Sequence, residues 1–244
     1  MNNQLMNSQS KKIVAIVIFY AIAISLRYYT NIIEPDFLSD LNPYLRIVIT
    51  ALGPFIGGLV VIRFLNRPNF LTLFGLGIWK TVAIIAIPMV LFSLAWVLET
   101  GTFSINLVKV IGALMLYALL EEYGWRGYLQ SELSGMKRIF KYLIITVLWF
   151  VWHLDFTLSL DNLLFFLLLF GGSYGIGFMA DRSKSLIMVA LFHSFSNIAQ
   201  SGLLSEVSLN YKLAIIAISA LSAIFIMRYD NKKDAIAIDV ETKY

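Results

Sequence analysis

Cysteine is absent from the sequence, and histidine and charged residues are scarce. With no cysteine among 244 residues, disulfides, thiolate catalysis and zinc or iron–sulfur sites held by cysteine are excluded. The only two histidines are His153 and His193. Charged residues make up 14% of the chain and hydrophobic residues 59%, which is far more apolar than an average globular domain. This balance predicts an integral membrane protein.

The hydrophobic runs predict an all-α fold, a polytopic transmembrane helix bundle of about eight spans. About 20 apolar residues are needed to cross a bilayer as a helix. Runs that meet or approach this length lie near 12–29, 45–65, 80–98, 105–130, 142–157, 162–180, 185–201 and 212–228. The loops between them are short, so residues 1–244 are predicted to form a single integral-membrane domain. Gly171 and Gly175 form a Gly-xxx-Gly pair, which predicts close helix packing in the sixth span.

Lysine and arginine are distributed unequally between the two sides of the predicted bundle. Apart from Arg126, only Arg27, Arg46, Lys109 and Lys212 fall on one side, and the other basic residues fall on the opposite side. Because cytoplasmic loops carry the excess of these residues, we expect a multi-pass protein of the cell membrane with both termini cytoplasmic. The net charge of +4 does not indicate nucleic-acid binding, since the basic residues flank apolar segments and form no patch. The lipid bilayer is the partner that this pattern implies.

Two carboxylates and a guanidinium, those of Glu121, Glu122 and Arg126, end an otherwise apolar helix near residues 107–120. A charge inside a bilayer costs about 2.5 to 3.5 kcal/mol on insertion scales, so such residues are usually functional. Glu122 and Arg126 are four residues apart and can pair, whereas Glu121 points about 100° away. The spacing predicts one structural glutamate and one available for chemistry. The alternative is a helix end whose carboxylates emerge into water.

Three further polar residues, His153, His193 and Asn197, interrupt apolar segments. At 1.5 Å per residue they lie roughly 12 to 18 Å from the cytoplasmic starts of their helices, a depth similar to that of the glutamates. We therefore expect one cavity near the cytoplasmic side of the membrane centre. There a glutamate could take a proton from water, a histidine could protonate a leaving amine, and Asn197 could donate to an oxyanion. Alternatively, His153 packs structurally and His193 with Asn197 links two helices by hydrogen bonds.

Taken together, these residues resemble the CAAX protease and bacteriocin-processing family, which includes Rce1-like and Abi proteins. The resemblance rests on Glu-Glu-x-x-x-Arg at 121–126, the isolated His153 and His-x-x-x-Asn at 193–197, and covers roughly residues 80–200. It implies an intramembrane endopeptidase that cleaves a membrane-associated peptide or protein near the cytoplasmic face. It also implies that Glu121 and His153 activate water, that His193 and Asn197 form the oxyanion site, and that Glu122 and Arg126 support the catalytic helix.

The sequence leaves alternatives open for the cofactor and for the function. Glutamate catalysis without a metal is the leading prediction, but Glu121, His153 and His193 are ligand types that zinc accepts. No His-Glu-x-x-His helix is present. A non-enzymatic membrane protein, for example a bacteriocin self-immunity factor or a regulator, is the main alternative to an enzyme. A proton-coupled transporter is less favoured, because no inverted sequence repeat is evident.

Overall fold

The computed structural model describes residues 2–75, 77–200, 205 and 207–241, and the side chains of 9–75, 77–199, 205 and 207–226. The described chain is helical almost throughout, which confirms the predicted all-α class. Its helices are α1 (Asn2–Tyr28), α2 (Asp36–Ser39), α3 (Pro43–Thr50), α4 (Leu52–Phe64), α5 (Ile78–Thr100), α6 (Ile105–Glu122), α7 (Gln130–Glu132), α8 (Arg138–Trp152), α9 (Leu160–Ser183), α10 (Leu186–Gln200) and α11 (Leu209–Glu241). Two π-helical segments, Tyr29–Ile33 and Tyr123–Leu129, follow α1 and α6.

The number of membrane spans that the sequence predicts is not confirmed. Within the described residues, four stretches are long and apolar enough to cross a bilayer: Gln9–Ile33, Ile78–Thr100, Leu160–Ser183 and Leu209–Ile226. The pair α3 and α4, bent by 41°, adds a fifth if it counts as one span. The count of about eight is not confirmed, because three predicted segments form shorter or interrupted helices. At 105–130 the α-helix ends at Glu122, and α8 and α10 have 15 residues each. Several apolar helices nevertheless make this a multi-pass membrane protein.

Small residues bring α1, α4 and the second π segment into close contact. A Cβ atom at Gly57 would come within 2.6 Å of the Phe19 carbonyl oxygen, and one at Gly124 would overlap the Pro54 carbonyl group. The Phe19 ring fills the space beside them and meets the ring of Trp125 edge to face, with centroids 5.4 Å apart. Because glycine has no Cβ, the backbone of the π segment can approach α4 this closely. The close contact with α4 therefore fixes the position of the π segment that follows Glu122.

Glycines of α9 do not serve as predicted. Gly171 and Gly175 would each accept a Cβ with no atom within 4 Å, so the Gly-xxx-Gly packing prediction was wrong. The close approach occurs instead at Gly177, where a Cβ would overlap the ring of Tyr142. This contact joins α9 to α8.

One end of the bundle, here called the basic end, is held together by polar contacts. Arg67, after α4, pairs with Glu132 of α7 through its Nε at 2.9 Å. Lys141 of α8 pairs with Asp181 of α9 at 2.9 Å. The backbone N–H of Thr72 donates to the carbonyl oxygen of Lys184 at 2.9 Å. The loops after α4, α7 and α9 therefore meet at this end.

The opposite end lies where α1 and α8 end. Glu34 and Arg46 form an ion pair there. The side chain of Asn162 donates to the carbonyl oxygens of Asp155 at 3.1 Å and Thr157 at 2.9 Å, which fixes the loop between α8 and α9. The antiparallel helices therefore run between the basic end and this second end, which is called the opposite end below.

Candidate active site

Both glutamates of the motif are completely buried. Glu121 and Glu122, the last two residues of α6, have 0% exposure, and Arg126 has 1%. The helix does not end in solvent at this point, because it continues as the π segment Tyr123–Leu129. Single π turns inside helices are rare and often lie at functional sites. The alternative of carboxylates emerging into water is therefore wrong.

Glu122 lies between two groups that can carry positive charge. Its Oε2 is 3.3 Å from Nε of Arg126, and its Oε1 is 2.7 Å from Nδ1 of His193. The predicted pairing of Glu122 with Arg126 is thus present, and His193 joins it from α10. A buried charge is tolerated when it is paired in this way. Glu122 is the carboxylate engaged in structure.

Glu121 has a different set of neighbours, and among the described residues no arginine forms an ion pair with it. Its Oε2 accepts a hydrogen bond from Nε1 of Trp149 at 3.3 Å, and Nε2 of His193 lies 3.9 Å from the same oxygen. Its Oε1 has no hydrogen-bond partner among the described side chains. This carboxylate keeps an oxygen atom available for chemistry.

His153 follows the last residue of α8 and is oriented by its own backbone. Its Nδ1 lies 2.7 Å from the carbonyl oxygen of Trp149. A carbonyl oxygen only accepts, so Nδ1 carries the hydrogen, and Nε2 of the neutral ring keeps its lone pair. The ring packs edge to face against Trp152 and Phe165, with centroids 5.3 and 4.9 Å away. His153 therefore presents a basic nitrogen in a fixed orientation.

Trp149 connects the two candidate groups. Its indole donates to Glu121, and its carbonyl accepts from His153. Its ring also meets His193 edge to face at 5.2 Å. The sequence indicated a tryptophan near His153, but a single sequence does not distinguish a residue of the membrane interface from one that lines a site.

A cavity of about 520 Å³ is lined by Trp149, His153 and His193. It brings together three of the predicted residues, His153, His193 and Asn197, whereas Glu121, Glu122 and Arg126 lie behind its wall. One lining residue, Trp149, donates a hydrogen bond to Glu121. The remaining wall is mostly apolar and comes from α9 and its neighbours, with Ile47, Leu114, Phe165, Leu168, Leu169, Ile176 and Phe192.

Arg27 is a cavity residue that sequence reasoning missed. Its guanidinium carbon lies 4.2 Å from the ring centroid of Trp152, and the side chain lines the cavity. In the sequence, Arg27 is only a basic residue flanking the first apolar run. No local signal connects it with residues 149–197, so contacts between distant segments were needed to find it.

The alternative metal ligands do not form one cluster. No group of three or more His, Asp or Glu side chains suited to a metal ion occurs within the described part of the chain. Glu121 approaches His193, whereas His153 faces the Trp149 carbonyl. The geometry therefore favours neither a zinc role for these three residues nor any particular ion.

Two comparisons with known proteins agree with the motif. Residues 103–199 match the family described as type II CAAX prenyl endopeptidase, Rce1-like. Residues 103–199 are therefore similar to the Rce1-like CAAX protease family. All six predicted site residues fall within this range. The predicted resemblance is confirmed, and the predicted catalytic core of 80–200 stays a prediction.

A curated relative extends the comparison. The chain is similar to CAAX prenyl protease 2 of Methanococcus maripaludis, with 30% identity over 148 residues, which cover 54% of this chain and 53% of that protein. The chain therefore spans about half the length of this relative.

Proposed function

We propose that this protein is an intramembrane endopeptidase that hydrolyses a peptide bond of a membrane-associated peptide or protein. The observation that carries the proposal is the unequal pairing of two adjacent buried glutamates. Glu122 is held by Arg126 and His193, whereas Glu121 forms no ion pair with an arginine within the described part of the chain and lies beside a cavity of about 520 Å³. The match of residues 103–199 to the Rce1-like CAAX endopeptidase family supports the reaction class.

In this mechanism Glu121 is the general base. Glu121 removes a proton from a water molecule, and the resulting hydroxide attacks the peptide carbonyl carbon while the carbonyl oxygen becomes an oxyanion. The proton then passes to the leaving nitrogen, from Glu121 or through His153. Nε2 of His153, the nitrogen not used by the backbone, is the atom that would hold the water or the proton.

Asn197 and His193 are proposed to stabilise the oxyanion. Nδ2 of Asn197 is buried and has no hydrogen-bond partner among the described residues, and both side chains line the cavity. Donors already in place around a developing negative charge lower the barrier, because they need no reorganisation during the reaction. Arg126 and Glu122 do not contact the oxyanion themselves. Their role is to hold His193 in position.

The apolar wall of the cavity supports a substrate with apolar groups near the cleaved bond. Phe165, Leu168 and Leu169 of α9 line the cavity together with His153 and His193. A prenylated protein terminus and an apolar leader peptide would both fit this description, and the relative's name favours neither for this chain. The bilayer would concentrate either substrate near the site.

The distribution of basic residues supports cytoplasmic termini, as the sequence predicts. With that orientation the basic end faces the cytoplasm. The cavity, however, is lined by Arg27, Ile47 and His153, which lie toward the opposite end. With cytoplasmic termini these residues lie away from the cytoplasmic face, and with the termini on the outer side they would lie nearer to it.

Labelling of single cysteines separates these two orientations, because the natural chain has no cysteine. Leu158→Cys places a thiol in the exposed loop at the opposite end, and Met136→Cys places one at the basic end. With cytoplasmic termini, a membrane-impermeant maleimide added to intact cells labels Leu158→Cys and leaves Met136→Cys unlabelled. The reverse pattern would contradict the orientation and place these residues nearer to the cytoplasmic face.

A cleavage assay tests the proposed function. Purified protein in detergent is given a panel of membrane-associated peptides, including prenylated ones, with and without a strong chelator. We expect Glu121→Gln to lose cleavage, and Glu99→Gln, which alters an exposed glutamate of α5, to retain it. Indifference to the chelator supports glutamate catalysis, and loss that zinc restores supports the metal alternative. Absence of cleavage under all conditions would contradict the proposal and favour an immunity or regulatory protein.

A further inference from the structure

A second cavity, of about 450 Å³, lies at the basic end. It is separate from the proposed peptidase cavity, and its chemistry is different. Polar and charged side chains dominate its lining, notably Arg126, Gln130, Arg138, Lys141, Asp181 and Lys184. Four of these six side chains are cationic and one is anionic. The cavity therefore has an excess of positive charge.

The one carboxylate of this group is already satisfied. Asp181 accepts hydrogen bonds from Nζ of Lys141 at 2.9 Å, from the Tyr142 hydroxyl at 2.8 Å and from Nε2 of Gln130 at 2.8 Å. These donors leave Asp181 little capacity to neutralise the other cations. Lys141 is the only one of the four that it pairs with.

Arg126 lies at the inner wall of the cavity with most of its donors unused. The side chain is 1% exposed, and Nε is the atom nearest to Glu122, at 3.3 Å. Nη1 and Nη2 have no hydrogen-bond partner among the described residues. Buried donors are nearly always paired in folded proteins, because an unpaired one carries a desolvation cost. An acceptor bound inside the cavity would pair these two nitrogens.

Arg138 and Lys184 stand at the rim of the same cavity. Both are exposed, and neither has an ion pair with a carboxylate in the described part of the chain. Arg138 is also the first residue of α8, where the preceding Lys137 provides no side-chain cap. An anion in the cavity would therefore meet a planar guanidinium at its inner wall and two exposed cations, those of Arg138 and Lys184, at its rim.

We propose that this cavity binds a phosphate group. Arginine forms paired hydrogen bonds with phosphate oxygens, and lysine adds charge at close range. The phosphate could belong to the headgroup of an anionic lipid, which clusters of basic residues near a membrane attract, or to a soluble phosphate. The site lies on the other side of Arg126 and Glu122 from the proposed peptidase cavity, and Arg126 is the residue that the two sites share.

Direct binding tests this proposal without measuring cleavage. The full chain, purified in a neutral detergent, is titrated with phosphatidylglycerol, with phosphatidylcholine and with inorganic phosphate, and bound molecules are counted by native mass spectrometry. The test variant is Arg138→Gln/Lys184→Gln. The control, Lys11→Gln/Arg63→Gln, removes the same charge from the same half of the bundle but lies outside the cavity.

We expect phosphatidylglycerol to bind, and the test variant to weaken its binding about thirtyfold, since two basic residues near the membrane surface are lost. The control should change binding less than about threefold. Inorganic phosphate that binds with the same sensitivity would identify a soluble phosphate as a ligand, and phosphate that neither binds nor competes would identify the lipid headgroup. Equal weakening of binding in both variants would overturn the proposal. So would a natural protein that binds neither phosphatidylglycerol nor inorganic phosphate.

Discussion

The two cavities lie on opposite sides of Glu121, Glu122 and Arg126, and they differ in how their polar groups are paired. The cavity toward the opposite end is largely apolar, with His153, His193 and Asn197 as its main polar groups other than Arg27. The cavity at the basic end is polar and carries several cations. One short helical segment thus supplies a carboxylate to one side and a guanidinium to the other. Glu121, Glu122 and Arg126 form the wall between the two cavities. The difference indicates that this wall, and not either cavity alone, determines where the polar groups lie.

Removing Glu122 should have the largest effect on stability. Glu122→Ala leaves Arg126 and His193 without their buried carboxylate, so we expect a loss of about 3 to 5 kcal/mol in the free energy of unfolding. Equilibrium unfolding in detergent micelles measures this loss. Glu99→Gln is the control, because that glutamate is exposed. A loss as small in Glu122→Ala as in the control would show that Glu122 does not hold the wall together.

Adding a methyl group at Gly124 should have a smaller effect on the same wall. A Cβ there overlaps the Pro54 carbonyl group and approaches the Phe19 ring, so we expect Gly124→Ala to lower the free energy of unfolding by about 1 to 3 kcal/mol. Gly112→Ala in α6 is the matched control, since a Cβ there meets no atom within 4 Å. It should leave stability unchanged or raise it slightly. The same loss in both variants would show that the close approach to α4 is not what restricts residue 124.

Changing Trp149 to phenylalanine should have the smallest effect and should act on activity. Trp149→Phe removes the indole donor to Glu121 but keeps an aromatic ring beside His193. We expect cleavage to fall about tenfold, which corresponds to about 1.4 kcal/mol, with little change in stability. Trp79→Phe is the control, because Trp79 is 82% exposed. Unchanged cleavage in Trp149→Phe would remove the indole from the account of Glu121.

Part of this arrangement could be predicted from the sequence. The i, i+4 spacing gives the Glu122–Arg126 pair, and hydropathy gives the helical membrane class. The spacing of His193 and Asn197 places both on the cavity side of α10. These features depend on local periodicity, which a sequence displays directly.

Other features depend on contacts between distant segments. The π segment after Glu122 has no sequence signature, and the role of Gly124 follows from where Pro54 and Phe19 lie. Arg27 joins the cavity only because α1 ends beside Trp152. The span count is not confirmed for a related reason, since helices shielded by neighbours need not have the full length of a lipid-facing span.

The central claim is that two adjacent glutamates have separate roles, and the most direct test compares Glu121→Gln with Glu122→Gln in one preparation. Unfolding and peptide cleavage are measured for both variants and for the natural protein. The account predicts that Glu121→Gln loses cleavage by at least about a hundredfold and unfolds like the natural protein, whereas Glu122→Gln is clearly less stable. If Glu121→Gln keeps its cleavage activity, or if both variants lose stability and activity together, the assignment of separate roles is contradicted.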